Sequence, residues 1–142
     1  MTPEQLALVR DTAPVVEAAG DAFARRFYDR LLALHPDASH LVPDDLRADF
    51  GAVVREVVFL ASAAGNLPLF LVRARELGAR WQTYGAHACD YPVAREALLS
   101  ALAAAVGERW TPEVALAWHR LYDLAADAML EGAAGGLFSA SP

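Results

Sequence analysis

Apolar residues recur along this chain at intervals of three and four. Leu46, Phe50, Val53, Val57, Leu60 and Ala64 form one stripe, and Ala117, Trp118, Leu121, Ala125 and Ala128 form another. Between them lie Phe70, Ala74, Leu77, Trp81 and Tyr84, with Arg73, Arg75, Glu76 and Arg80 on the remaining faces. A period near 3.6 is that of a helix with one face turned to a core, and the pattern predicts three long amphipathic helices. Val57-Val58 makes a β-branched cluster, but its helical phase is better than its alternation. There is no internal repeat and no strand pattern with hairpin turns.

The punctuation between the stripes is helical too. Thr2-Pro3-Glu4-Gln5 offers an N-cap, a proline at the first helical position and a glutamine that completes a capping box. Thr111-Pro112-Glu113 repeats the cap and proline, Tyr91-Pro92 marks another start, and Asn66-Leu67-Pro68 separates two helical stretches. Gly20, Gly65, Gly85 and Gly107 are candidate stops or corners. The expectation is an all-α domain of six to eight helices over residues 1–131, followed by a flexible, Gly/Ala/Ser-rich tail over 132–142.

Composition narrows the class. A chain of 142 residues with 56% hydrophobic and 21% charged residues is one domain with a proper core, which excludes disorder. Every basic residue is arginine, and the net charge of −6 argues against nucleic acid, whose phosphates need a basic face. It gives no support for an anionic membrane surface either. The single cysteine, Cys89, allows no intrachain disulfide and suits a reducing, cytoplasmic setting. The polar start carries no signal pattern, and no apolar run approaches the roughly 20 residues that span a bilayer. None of the four histidines stands in an H-x-x-E or H-x-x-x-H pair, so a zinc or di-iron site is unsupported.

The order and spacing of particular residues then resemble the globin family, above all bacterial single-domain haemoglobins and the haem domain of flavohaemoglobins. The residues that carry this are T-P-E-Q-L at the start, Phe27-Tyr28-Asp29-Arg30-Leu31 followed by His35-Pro36-Asp37, and Asn66-Leu67-Pro68. They continue with Leu77 to Gly85, Asp90-Tyr91-Pro92, and Trp110-Thr111-Pro112 followed by Trp118 and Tyr122. The resemblance runs from about residue 2 to about residue 131 and implies a globin fold. It also implies haem b held between the helix of residues 45–64 and that of 69–85. Tyr28 falls on the family's distal tyrosine, which donates a hydrogen bond to iron-bound oxygen. Val53 falls on the apolar residue over the iron, and Tyr91 on a tyrosine that supports the proximal ligand.

Three positions depart from the pattern. Val42 stands for the phenylalanine that wedges against the haem, Asp49 for a distal glutamine, and Trp81 for the proximal histidine. An indole N–H is a donor with no available lone pair, so Trp81 cannot bind iron. His87, six residues later and past Gly85, is the first substitute metal ligand, with a propionate contact or an exposed corner as the other readings. Cys89 could offer a thiolate or be a small buried hydrophobe, and Tyr28 could ligate as a phenolate. Asp49 would repel the negative charge that develops on bound oxygen, or would donate a proton if its pKa were raised; the plainer reading is a solvated helix carboxylate.

The leading functional expectation is a haem protein that handles O2, NO or peroxide with non-standard proximal ligation. It would work on a small diatomic ligand and take electrons from an external reductase. The alternative is a haem-free globin-fold sensor or interaction domain, its pocket plugged by Trp81 or holding another apolar ligand. A third reading, an enzyme using Tyr28, Asp49 and His87 on another small molecule, has no motif behind it.

Overall fold

Six α-helices follow one another in the computed structural model, which describes residues 1–41 and 51–139, with the side chains of 40–41 and 135–139 left aside. They are α1 (Pro3–Ala19), α2 (Asp21–Leu34), α3 (Gly51–Ala63), α4 (Leu67–Thr83), α5 (Asp90–Val106) and α6 (Pro112–Ser139). Short 3-10 segments span Pro36–Leu41 and Gly107–Arg109, and no strand occurs among the described residues. Val42 and Asp49, both expected at the pocket, lie outside the described residues.

The helix starts form where the sequence places them. Thr2 Oγ1 accepts the Gln5 N–H at 3.1 Å while Gln5 Oε1 accepts the Thr2 N–H at 2.9 Å, which closes the capping box. Asn66 Oδ1 accepts the Leu69 N–H at 3.4 Å and Thr111 Oγ1 the Val114 N–H at 3.2 Å. Gly20 and Gly107 end α1 and α5 with positive φ angles of 54° and 66°, a backbone that L side chains rarely adopt.

The stripes become the core. Val9 and Val16 of α1, Phe23 and Leu31 of α2, Phe70 of α4, Leu102 of α5 and Trp118 of α6 are fully buried. Each is worth about 1.5–3 kcal/mol relative to exposure, with the tryptophan at or above that range. Trp118 Nε1 donates to Thr12 Oγ1 at 2.7 Å, and Thr12 in turn donates to the Leu8 carbonyl at 2.8 Å. That buried chain ties α6 to α1 with no polar atom left over.

The closest helix pair is α4 with α6. A Cβ on Gly78 would fall on the Met129 backbone, and one on Gly132 would fall on the Arg75 backbone. Two glycines, one from each helix, therefore let the backbones touch at two points along the crossing. α6 runs on to Ser139, and Gly132 is a packing position within it. Arg75 bridges the same two helices to Glu131 at 3.2 Å. No described helix is long and apolar enough to cross a membrane.

Candidate functional site

Between α2, α3, α4, α5 and α6 the helices leave a cavity partly open to solvent. Its walls are the stripes themselves. Val53, Val57 and Leu60 come from α3, Leu77 and Trp81 from α4, Ala94 and Leu98 from α5, and Ala125 and Met129 from α6. Apolar side chains with a few polar groups among them are the usual lining of small-molecule and cofactor pockets.

Four of the seven residues expected at the site line this cavity. Tyr28, buried on α2, sits on the wall with its ring edge-on to Phe27, centroids 5.1 Å apart. Val53, Trp81 and Tyr91 line it from α3, α4 and α5. Trp81 is half-buried and forms part of the wall, leaving the cavity beside it, so its indole does not fill the space.

His87 is placed differently. It is exposed, lies outside the cavity lining, and uses its backbone N–H to donate to Asp90 Oδ2 at 2.8 Å. The physical reason is local: Ala86 N–H bonds back to the Trp81 carbonyl, and the turn closes on Asp90 with the imidazole outward. The expected ligand role therefore has no support in this arrangement. Cys89, weighed as a thiolate ligand or a buried hydrophobe, is neither on the wall nor buried.

Several lining residues with polar groups escaped the sequence reading. Glu56 of α3 is held by Arg73 of α4, Nη2 to Oε1 at 2.6 Å and Nε to Oε2 at 3.3 Å. The Arg73 guanidinium also lies over the Phe59 ring, 5.4 Å from its centroid. Arg80, on the cavity rim, reaches the same carboxylate only at 3.7 Å and keeps half its side chain in solvent. Asp90, buried at the first residue of α5, lines the cavity and lies 3.5 Å from His35 Nε2 through Oδ1. Glu56 one turn from Val53 and Arg80 next to Trp81 could have been found from their helical phase. The Asp90–His35 pair joins positions 55 residues apart and left no local signal.

Tyr122 of α6 closes the floor, its hydroxyl donating to the Tyr91 carbonyl at 2.6 Å. Burial pushes the Tyr122 phenol well up, with Tyr91 and Asp123 adding to the shift against Arg95. Burial also raises Tyr91, helped by the neighbouring Asp90 charge. Both phenols thus stay neutral in the neutral range. A phenol harder to ionise in the folded chain leaves stability flat through neutral pH. Stability then falls as pH climbs past about 10, where the unfolded phenol ionises first. Tyr122→Phe should remove part of that alkaline loss while costing about 1 kcal/mol at pH 7, read by urea unfolding at both pH values.

A family model described as Globin matches residues 25–129. The flavohemoprotein of Deinococcus radiodurans is 30% identical over 146 residues, covering 99% of this chain and 35% of that protein. The flavohemoprotein of Bacillus subtilis is 25% identical over 126 residues, or 87% of this chain and 32% of that one. The chain thus spans about a third of the length of these relatives. Among solved structures, a bacterial globin from Campylobacter jejuni superposes with a TM-score of 0.83 at 17% identity, over 97% of this chain and 99% of that one. An engineered carbene transferase from Rhodothermus marinus gives 0.83 at 21%, over 100% and 99%. At those identities the two structures speak for the fold alone.

Proposed function

The chain belongs to the globin family, and from that premise we propose that it is a haem-binding globin handling O2, NO or peroxide without a histidine–iron bond at Trp81. The observation that carries this is the apolar cavity walled by Val53, Val57, Leu77 and Trp81 and carrying Tyr28.

The residues present fit a porphyrin as an apolar, flat body. Burying its face against Val53, Val57, Leu60, Leu77 and Leu98 supplies the affinity, at about 25 cal/mol per Å² of apolar area. Arg80 would hold a propionate: it is at the rim, half-exposed, and its bond to Glu56 is long, while Arg73 keeps that carboxylate satisfied. When bound, haem supplies an iron centre able to take up a diatomic molecule and change redox state. Tyr28 would donate a hydrogen bond to that molecule, and its neighbours would keep water out. Tyr91 and Tyr122 brace the side of the cavity nearer α6 through the Tyr122 hydroxyl. Val42 and Asp49, outside the described residues, keep on the family resemblance alone the roles of haem-wedging and distal residue. Electrons would come from a reductase, in keeping with the similarity to flavohemoproteins.

One observation favours a second reading. Among the described residues lining the cavity there is no histidine, so a haem-free globin domain holding another apolar ligand accounts for Trp81 without a substitute bond. Purification after expression with haem supplied separates the two. A Soret band is expected, and Tyr28→Phe should speed loss of a bound gas about tenfold, the worth of one good hydrogen bond. A chain with no such band at any haem ratio supports the haem-free domain instead.

A further inference from the structure

Asp90 is the odd member of the cavity wall. It is 3% exposed among mainly apolar neighbours, and a carboxylate so placed is costly unless its charge is met. Its Oδ2 accepts the His87 backbone N–H at 2.8 Å, and its Oδ1 faces His35 Nε2 at 3.5 Å. The other carboxylate of the wall, Glu56, is met by two guanidiniums, which stay charged at every working pH. The counter-charge for Asp90 is an imidazole whose side chain is 36% exposed. Histidine is the side chain that gains and loses its charge between about pH 5 and 8.

We propose that the His35–Asp90 pair sets the charge selectivity of the cavity: protonated His35 admits an anionic ligand, and neutral His35 leaves the Asp90 carboxylate to exclude it. The other described groups around the pair do not supply this switch. Tyr91, next to Asp90 on α5, and Tyr122, behind it on α6, are phenols that stay neutral over this range. Arg95 and His119 are turned to Asp123, and Arg73 and Arg80 to Glu56. Asp37 follows His35 by two residues on the 3-10 segment and has its own partner. His87 touches Asp90 through its backbone, with an exposed side chain.

Among the described residues, only His35 therefore joins a titrating charge to the wall, and the sign follows. Raising the pH removes the positive charge, and the field beside Asp90 turns negative. Coulomb attraction at a few ångströms and an effective dielectric near 20 is large enough to change anion affinity about tenfold. The proposal concerns the cavity and not iron, so it stands or falls apart from the haem reading.

A matched pair of dyes tests it on the full chain purified without added haem. 8-Anilinonaphthalene-1-sulfonate is anionic, and N-phenyl-1-naphthylamine has the same rings without the sulfonate. The dissociation constant of the sulfonate is expected to rise about tenfold between about pH 5.5 and 8, while that of the neutral dye holds. His35→Gln should bind the sulfonate weakly at both pH values, and Asp90→Asn should bind it tightly at both. Unchanged neutral-dye binding shows in each variant that the cavity is intact. A profile that survives in Asp90→Asn overturns the proposal. So does one removed by His87→Gln and not by His35→Gln, one shared by the neutral dye, or a cavity that excludes both dyes.

Discussion

Gly78→Ala is expected to cost about 3 kcal/mol or more of folding stability, the upper end of what overpacking does. The new methyl would land on the Met129 backbone, and backbone cannot rotate aside as a side chain can. Either α4 slides along α6 or the crossing opens, and both loosen the cavity wall, because Leu77, Trp81 and Met129 sit on these two helices. Gly132→Ala should cost a similar amount at the Arg75 contact. Gly65→Ala is the control: its methyl would meet only the end of the Arg10 side chain, which can swing away, and the loss should stay under about 1 kcal/mol. Urea unfolding of the three variants reads the difference. Equal losses at Gly65 and Gly78 would show that the α4–α6 approach is not as close as described.

These two glycines mark where the sequence stopped being legible. The helices themselves were readable because stripes such as Phe70-Ala74-Leu77 and Trp118-Leu121-Ala125 repeat one period, and because Thr2, Asn66 and Thr111 are caps. Gly78 sat unremarked inside a helical pattern, and Gly132 looked like the first residue of a frayed tail, since closeness of two helices leaves no local mark. The candidate site was legible in the same measure. Tyr28, Val53, Trp81 and Tyr91 follow from helical phase and family likeness, and all line the cavity. His87 was expected there on proximity to Trp81 in sequence, but the turn after α4 places it outside. The sequence places Arg80 on an outer helix face, marks Asp90 only through the Asp90-Tyr91-Pro92 stretch and gives no sign of Glu56; their partners in space give them a place on the wall.

Trp81→His carries the other large expected effect. The position lies on the inward face of α4, on the cavity wall, with backbone helical on both sides. An imidazole there offers a lone pair where the indole offers none. Loss of a mere supporting partner of a metal ligand costs about 10–100-fold in metal affinity, so supplying a missing ligand should gain at least ~100-fold. The smaller side chain also widens the cavity. Because Trp81 is only half-buried, the loss of packing should stay well below the roughly 3–5 kcal/mol of a fully buried tryptophan. Tyr91 and Tyr122 remain in place behind it.

Titration of the purified chain with haem, followed in the Soret region for the natural sequence and for Trp81→His side by side, tests most directly that the pocket persists without its iron bond. The account predicts one saturable site in both, weak in the natural chain and at least ~100-fold tighter with histidine at position 81. Equal affinities, or no saturable band in either protein, would contradict it.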